Sequence, residues 1–207
     1  MVIETIVVTP IQQNCRILLG KAALVVDPGG DVEAIIASLG GRMVSQIWLT
    51  HSHLDHCGGV AGLKETFPDS RIYGHELEKD YRQRVEDIAA YYGIPEGLMK
   101  NCPEPDTYIK GGEILDFEGV KFEVRFTPGH APGHLVFVNK EEKYVFAGDT
   151  LFQGSIGRTD LPNGDYSTLI RSIKTQLLTL SDDFQVLSGH GSDTTIGEER
   201  RTNPFLQ

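Results

Sequence analysis

The sequence lacks the features that mark several large classes of protein. It has no dense run of Lys and Arg, and Asp plus Glu outnumber Lys plus Arg by 29 to 19, which gives a net charge of -10. An acidic surface repels phosphate, so we expect no nucleic-acid partner. No apolar stretch approaches the roughly 18–20 residues that cross a bilayer, and no basic residue precedes Arg16 as it would in a secretory signal. We therefore expect a cytoplasmic protein without a membrane partner.

Cysteine is also scarce. The three cysteines, Cys15, Cys57 and Cys102, are odd in number and widely spaced, which is poor material for a disulfide framework. We expect reduced thiols. Cys57 follows His56 directly, but adjacent residues on an element point in different directions, so we do not assign it to a metal site.

The composition is that of an ordinary globular protein. The chain has 207 residues, of which 40% are hydrophobic and 23% charged. This length suits one sizeable core, so residues 1–207 are predicted to form a single domain.

Short β-rich runs and helical patterns alternate in both halves of the chain. Strands are predicted at 2–8, 16–19, 22–26, 44–49, 71–73, 113–117, 120–126, 134–138, 144–147 and 184–187. Helices are predicted at 31–39, 56–67, 76–92 and 166–178, with Asp31 and Asp165 placed as N-caps. Two groups of strands with helices between and outside them predict an α+β fold in which two packed sheets are sandwiched by helices.

The strongest local signal is Thr-His-Ser-His-Leu-Asp-His at 50–56, directly after the apolar run 47–49. Residues two apart on an extended segment point the same way, so His51, His53 and Asp55 are expected to converge, while His56 enters the following turn. Four candidate ligands within six residues can divide between two metal ions. Three of the seven histidines fall in this segment, which makes a structural explanation for all of them weak.

Three further candidate ligands each follow a predicted strand in the second half. They are His130 in Pro-Gly-His, Asp149 in Gly-Asp-Thr and His190 in Gly-His-Gly. The flanking glycines allow the backbone to approach a crowded centre.

In this order, the four motifs resemble the metal-binding motifs of the metallo-β-lactamase superfamily, and the resemblance covers nearly the whole chain. Thr-Pro-Gly-His-Ala-Pro-Gly-His at 127–134, Gly-Arg-Thr-Asp at 157–160 and the closing segment 197–206 resemble the short hydroxyacylglutathione hydrolases of the glyoxalase II type. The resemblance implies the metallo-β-lactamase fold, an αββα sandwich of two mixed β-sheets packed face to face with helices on both outer faces.

The resemblance also implies the ligand set. One metal ion is expected on His51, His53 and His130, a second on Asp55, His56 and His190, and Asp149 bridges them. Asp55 and Asp149 are also the carboxylates assigned to catalysis. The cofactors are thus two divalent metal ions. Zinc is expected, with iron or manganese as alternatives, because imidazole and carboxylate donors suit all three.

The implied reaction is metal-dependent hydrolysis of a small thioester such as S-D-lactoylglutathione, giving D-lactate and glutathione. Long members of this hydrolase family carry a C-terminal helical domain with basic residues for glutathione, whereas this chain ends shortly after His190. Glutathione is therefore a weaker expectation than the metals. The alternative is a mononuclear iron persulfide dioxygenase of the same fold, in which alanine typically stands where this chain has Leu54. A β-lactamase proper is expected to have cysteine in place of Asp149.

The sequence allows two roles for each of three further residues. Asp27 resembles an aspartate that orients a histidine ligand, but an aspartate before proline is also a common turn former. His134 either supports a ligand or contacts substrate. Arg158 either meets an anionic substrate group or pairs with Asp160.

Overall fold

A computed structural model describes all residues, 1–207, and the chain divides into two compact units, Met1–Tyr108 and Ile109–Gln207. Each unit contains one six-stranded sheet. None of the helices is both long enough and apolar enough to span a bilayer.

The sheet of the first unit is mixed. Its strands lie side by side in chain order, with β1, β2 and β3 antiparallel and β3, β4, β5 and β6 parallel. The bounds are β1 Val2–Val8, β2 Gln13–Leu19, β3 Ala23–Val26, β4 Val44–Trp48, β5 Arg71–Gly74 and β6 Thr107–Tyr108. The strands predicted at 2–8, 16–19, 22–26, 44–49 and 71–73 are confirmed with small shifts at their ends. The two-residue β6 was not predicted.

Five short helices belong to the first unit, and alternate residues of the sheet pack against them. The helices are α1 Val32–Ser38, α2 Leu54–Cys57, α3 Val60–Thr66, α4 Lys79–Arg82 and α5 Val85–Tyr91, and a 3-10 turn at Glu76–Glu78 precedes α4. Ile17, Val25 and Ile47 share a core with Ile35 of α1 and Leu63 of α3. Because successive side chains of a strand point to opposite faces of the sheet, one face of β2, β3 and β4 supplies this core.

Two predicted helices are broken in the structure. The helix expected at 56–67 is α2 and α3, separated at Gly58 and Gly59, where a Cβ on Gly59 would lie 2.8 Å from the Pro28 carbonyl oxygen. The chain therefore needs glycine where this segment passes the end of β3. The helix expected at 76–92 is the 3-10 turn, α4 and α5, with an interruption at Gln83 and Arg84.

The prediction that Asp31 caps α1 is wrong. Asp31 has a φ of 47° and makes no side-chain capping bond to the helix. Its carboxylate instead accepts a hydrogen bond from the backbone N–H of Thr9 at 2.6 Å. A long-range partner has taken the oxygen that a local cap would use, which local sequence does not reveal.

The sheet of the second unit is also mixed, with the order β14, β13, β10, β9, β8, β7. Only β10 and β13 are parallel, and the other neighbours are antiparallel. The bounds are β7 Ile114–Phe117, β8 Val120–Phe126, β9 Leu135–Asn139, β10 Tyr144–Gly148, β13 Gln185–Ser188 and β14 Thr194–Thr195, and a separate hairpin comprises β11 Leu151–Phe152 and β12 Ser155–Ile156. The five longer strands were predicted, whereas β11, β12 and β14 were not.

The helix predicted at 166–178 is α6, Tyr166–Ser172, continued by a π-helical turn at Ile173–Leu177. Leu169, Ile173 and Leu177 join Val145 and Val186 in the core of this unit. The Asp165 cap is confirmed, because the Asp165 side chain accepts a hydrogen bond from Thr168 N–H at 2.7 Å.

The closing segment forms α7, Ile196–Thr202, which was not predicted, and the fully buried Glu199 ties this helix to the unit. The Glu199 carboxylate accepts hydrogen bonds from the Thr194 hydroxyl at 2.6 Å, the Asn203 amide at 2.7 Å and the Gly154 backbone N–H at 2.9 Å. Three donors around a buried carboxylate compensate for its loss of water.

We expect Glu199→Ala to lower the free energy of unfolding by about 3 kcal/mol, because it leaves buried donors without an acceptor. The neighbouring Glu198 is exposed, so Glu198→Ala is the matched control and should change stability by about 0.5 kcal/mol or less. Urea denaturation of both variants in the presence of chelator measures the difference. Equal midpoints would contradict an anchoring role for Glu199.

Candidate metal centre

The four candidate ligands of the first unit follow β4 and are all buried. His51 and His53 lie in the connection after the strand, whereas Asp55 and His56 lie in α2. His53 is the residue that precedes α2 and has an extended backbone, with φ -64° and ψ 154°. The prediction that Asp55 shares one extended segment with His51 and His53 is therefore wrong, because the helix begins at Leu54.

The side chains of these four residues nevertheless converge. His51 Nε2 lies 3.1 Å from His53 Nδ1, and the rings of His51 and His56 have centroids 4.1 Å apart. His56 Nε2 is 3.8 Å from an Asp55 carboxylate oxygen. Nitrogen and oxygen donors are thus gathered at the end of β4.

Asp27, the residue after β3, fixes the orientation of His56. Its carboxylate accepts hydrogen bonds from the Thr50 N–H at 2.7 Å, the Thr50 hydroxyl at 2.6 Å and His56 Nδ1 at 3.0 Å. Asp27 has a φ of 53°, a conformation that costs a non-glycine residue about 1 kcal/mol or more and that these bonds help to hold. With Nδ1 donating, the lone pair of His56 is on Nε2. The geometry matches the orienting role rather than that of a simple turn residue.

The Thr50 hydroxyl also sets the tautomer of His51. The Thr50 hydroxyl has one proton, which it donates to Asp27, and it lies 3.1 Å from His51 Nδ1. His51 must then donate from Nδ1, which leaves the lone pair on Nε2, the nitrogen that faces His53.

In the second unit, Asp149 lies between two histidines. Asp149 follows β10, and one of its carboxylate oxygens is 3.5 Å from Nε2 of both His130 and His190. His130 and Asp149 are buried, and His190 is half-buried. A Cβ on Gly157 would lie 1.9 Å from the Asp149 carbonyl oxygen and 3.2 Å from the His130 Cβ, so only glycine fits beside these candidate ligands.

Arg158 contributes to this centre through its backbone. Its carbonyl oxygen accepts a hydrogen bond from His130 Nδ1 at 2.8 Å, which leaves the His130 lone pair on Nε2, facing Asp149. The Arg158 guanidinium donates two hydrogen bonds of 2.7 Å to the exposed Asp160 and holds the pKa of Asp160 at about 2. The Arg158 side chain was expected either to meet an anionic substrate group or to pair with Asp160, and the structure shows the pair with Asp160.

His134 supports Asp149 and is fully buried. Its Nε2 accepts a hydrogen bond from the Asp149 backbone N–H at 3.1 Å, so its Nδ1 carries the proton and faces the hydroxyls of Thr127 at 3.0 Å and Thr150 at 3.2 Å. The structure therefore favours the supporting role over substrate contact.

The remaining cysteine and histidine near the first set have structural contacts. Cys57 is buried and its thiol contacts the Ser52 carbonyl oxygen at 3.4 Å. Burial and contact with the Cys102 thiol raise the Cys57 pKa well above its usual value, which opposes the thiolate form that binds metals. His75 precedes the 3-10 turn, and its Nδ1 accepts a hydrogen bond from Leu77 N–H at 3.0 Å.

The donor sets fit a divalent cation. Two nitrogens that each lie 2.0–2.1 Å from one tetrahedral metal ion are about 3.3 Å apart, close to the spacing of His51 Nε2 and His53 Nδ1. His51, His56 and His130 each present an unprotonated Nε2 because the other ring nitrogen donates to an oxygen, as in known metal sites. Imidazole and carboxylate donors suit zinc, iron and manganese.

Two buried charged residues, Glu78 and Arg82, also reach the His51–His53 connection, and sequence patterns give no sign of this. Glu78 accepts a hydrogen bond from the Ser52 N–H at 3.0 Å, and Arg82 donates to the Ser52 hydroxyl at 3.3 Å. Nothing in the local sequence distinguishes them from exposed neighbours such as Glu76 and Arg84. Only the fold brings α4 to this connection.

The chain belongs to the metallo-beta-lactamase superfamily, whose family model matches residues 8–190. The fold is accordingly the metallo-β-lactamase fold, with two mixed sheets and helices, and the chain is a member of a superfamily of metal-dependent hydrolases.

Three similar proteins were found over almost the full length. Hydroxyacylglutathione hydrolase GloC of Haemophilus influenzae is 44% identical, with 100% of this chain and 98% of that protein covered. The crystal structure of BLEG-1 B3 metallo-beta-lactamase is 36% identical with a TM-score of 0.90, and 100% of both chains is covered. TTHA1623 in a di-iron-bound form is 37% identical with a TM-score of 0.88, covering 98% of this chain and 100% of that one.

We expect Asp149→Ala to lower metal retention more than Asp27→Ala. Asp149 has an oxygen beside two histidines, whereas Asp27 acts through His56, and loss of such an indirect partner typically weakens metal binding about 10–100-fold. Competition with a chromophoric chelator measures both affinities. The reverse order would show that Asp149 does not serve both histidines.

Proposed function

We propose that the chain holds two divalent metal ions in one centre. His51, His53 and His130 bind the first, Asp55, His56 and His190 bind the second, and Asp149 bridges them. Two observations support this assignment: the tautomers within each unit are set for ligation, and one Asp149 oxygen is equidistant from His130 and His190. The family model also includes all seven residues.

When bound, a pair of such ions lowers the pKa of a water molecule and stabilises negative charge developing on a carbonyl oxygen. The chain supplies the orientation. Asp27 and Thr50 hold His56 and His51, the Arg158 carbonyl holds His130, and His134 holds the backbone of Asp149. These contacts keep the donors in place, so little reorganisation is needed during the reaction.

We propose that the protein is a hydrolase of small thioesters, of the glyoxalase II type. Water adds to the thioester carbonyl, the carbon–sulfur bond breaks, and the products are a carboxylic acid and a thiol, which takes up a proton. The observation that carries this proposal is the 44% identity to hydroxyacylglutathione hydrolase GloC over the whole chain. S-D-Lactoylglutathione is the first substrate to assay.

The expected metal is zinc, with iron or manganese as alternatives, and one of the similar proteins supports iron. The donor set accommodates any of these ions. The similar protein TTHA1623 is described in a di-iron-bound form, so iron must be included in reconstitution.

β-Lactam hydrolysis is a second candidate, because BLEG-1 is described as a B3 metallo-beta-lactamase and shares the fold at a TM-score of 0.90. Against it stands Asp149, where a β-lactamase proper is expected to have cysteine. It requires the same attack of water on a carbonyl, with an amide nitrogen rather than a thiolate as leaving group. The thiolate is the better leaving group, so we expect the centre to hydrolyse thioesters faster than β-lactams.

Purified protein is expected to carry about two metal ions per chain, because seven ligand residues exceed the needs of one four- to six-coordinate ion. Elemental analysis after anaerobic purification, with and without added zinc or iron, gives the stoichiometry. A value of one that added metal does not change would overturn the two-ion assignment.

The protein is expected to hydrolyse S-D-lactoylglutathione in the absence of oxygen and to consume no oxygen with glutathione persulfide. Oxygen distinguishes the two activities, because hydrolysis of the thioester needs only water, whereas a persulfide dioxygenase consumes oxygen. Thioester absorbance and an oxygen electrode measure the two reactions on the same metal-loaded sample, and a cephalosporin tests the β-lactam candidate.

Asp149→Ala and chelator-treated protein are the controls that link activity to the centre. Oxygen uptake with persulfide, together with no thioester cleavage at millimolar substrate, would replace the hydrolase by the dioxygenase. Faster turnover of the cephalosporin than of the thioester would favour the second candidate instead.

A further inference from the structure

Ser52, the residue between His51 and His53, is held through each of its polar groups. Its N–H donates to Glu78 Oε2 at 3.0 Å, its hydroxyl accepts from Arg82 Nη1 at 3.3 Å, and its carbonyl accepts from the Cys57 thiol at 3.4 Å. Ser52 itself is buried. The backbone between two candidate ligands therefore has a fixed position and a fixed rotation.

Glu78 and Arg82 are both fully buried charged residues, four positions apart, from the 3-10 turn to the end of α4. Removing such groups from water costs several kcal/mol unless hydrogen bonds compensate. Arg82 also donates to the His75 carbonyl at 2.9 Å and to Glu104 Oε2 at 2.8 Å. Glu104 thus balances the charge of Arg82, whereas the bonds to Ser52 join both Glu78 and Arg82 to the His51–His53 connection.

Helix α4 also contacts the candidate ligand His53 directly. The ring of Tyr81 lies edge-on to the ring of His53, with centroids 5.0 Å apart and an interplanar angle of 83°. Three residues of the 3-10 turn and α4 thus contact the His51–His53 connection: Glu78 at a backbone N–H, Arg82 at a hydroxyl and Tyr81 at an imidazole.

We propose that Glu78 and Arg82 are positioning residues, which set the spacing of His51 Nε2 and His53 Nδ1 for one metal ion through Ser52. The proposal rests on the metal centre proposed above. Rotation of the Ser52 peptide turns the two flanking imidazoles apart, and a metal site tolerates displacements of only about 0.5 Å. The buried charges hold this peptide because a charged partner forms the stronger hydrogen bond.

The test is cobalt(II) binding, since the absorption bands of bound cobalt report ligand geometry and the titration gives affinity. Glu78→Ala and Arg82→Met are expected to shift these bands and to weaken cobalt binding about 10–100-fold, as for other residues that support ligands. Glu78→Gln retains an oxygen that can accept from the Ser52 N–H, so it should recover most of the wild-type spectrum.

The matched controls are Glu76→Ala and Arg84→Met, which remove the same charges from exposed neighbours. Both should bind cobalt as the wild type does. Ser52→Ala removes only the hydroxyl that Arg82 contacts, and it should also shift the cobalt bands. Because this change is small, it tests the proposal even if the Glu78 and Arg82 variants do not fold.

A purely structural role predicts another result. Variants at Glu78, Arg82 and Ser52 that lower the melting temperature but keep the wild-type cobalt spectrum and affinity would overturn the proposal. Wild-type protein that binds no cobalt would instead refute the metal centre itself, and with it this inference. The two failures are distinguished by the wild-type titration alone.

Discussion

The proposed metal centre depends on one constraint, which is that each candidate histidine must direct a lone pair rather than a proton at the metal position. A neutral histidine does this reliably only when its other nitrogen donates to a fixed oxygen. Asp27 and Thr50 provide that oxygen in the first unit, and their placement follows from the sheet. β3 and β4 are parallel with Val26 opposite Trp48, so the residues after these strands meet at one edge.

In the second unit, a backbone group meets this constraint for His130, whose Nδ1 donates to the Arg158 carbonyl. The Asp149 N–H, which donates to His134, holds the backbone of Asp149. Such contacts depend on backbone position, which explains the crowding at Gly157, where any side chain would overlap Asp149. The Gly-Arg-Thr-Asp segment at 157–160 thus acts here through its glycine and a carbonyl, whereas the Arg158 side chain pairs with Asp160.

Similar proteins in this superfamily have names that describe different substrates. Relatives with names as different as hydroxyacylglutathione hydrolase and B3 metallo-beta-lactamase are 44% and 36% identical to this chain over nearly its whole length. A shared fold therefore does not identify the substrate, which must be argued from the site. For this reason the proposed thioester activity rests on the similarity to hydroxyacylglutathione hydrolase GloC, whereas the proposed metal centre rests on the geometry of the candidate ligands.

The sequence predicted those parts of the molecule that local patterns determine. Alternating apolar residues located the long strands, and the spacing of histidines and aspartates located the candidate ligands. Long-range contacts produced the errors: Asp31 binds Thr9 instead of capping its helix, and Gly59 breaks a helix where it passes the Pro28 carbonyl. Glu78 and Arg82 belong to the same category, because their contacts with Ser52 span 26 and 30 residues. No helical period encodes such a separation, so the residues that support a site are harder to read from sequence than those that form it.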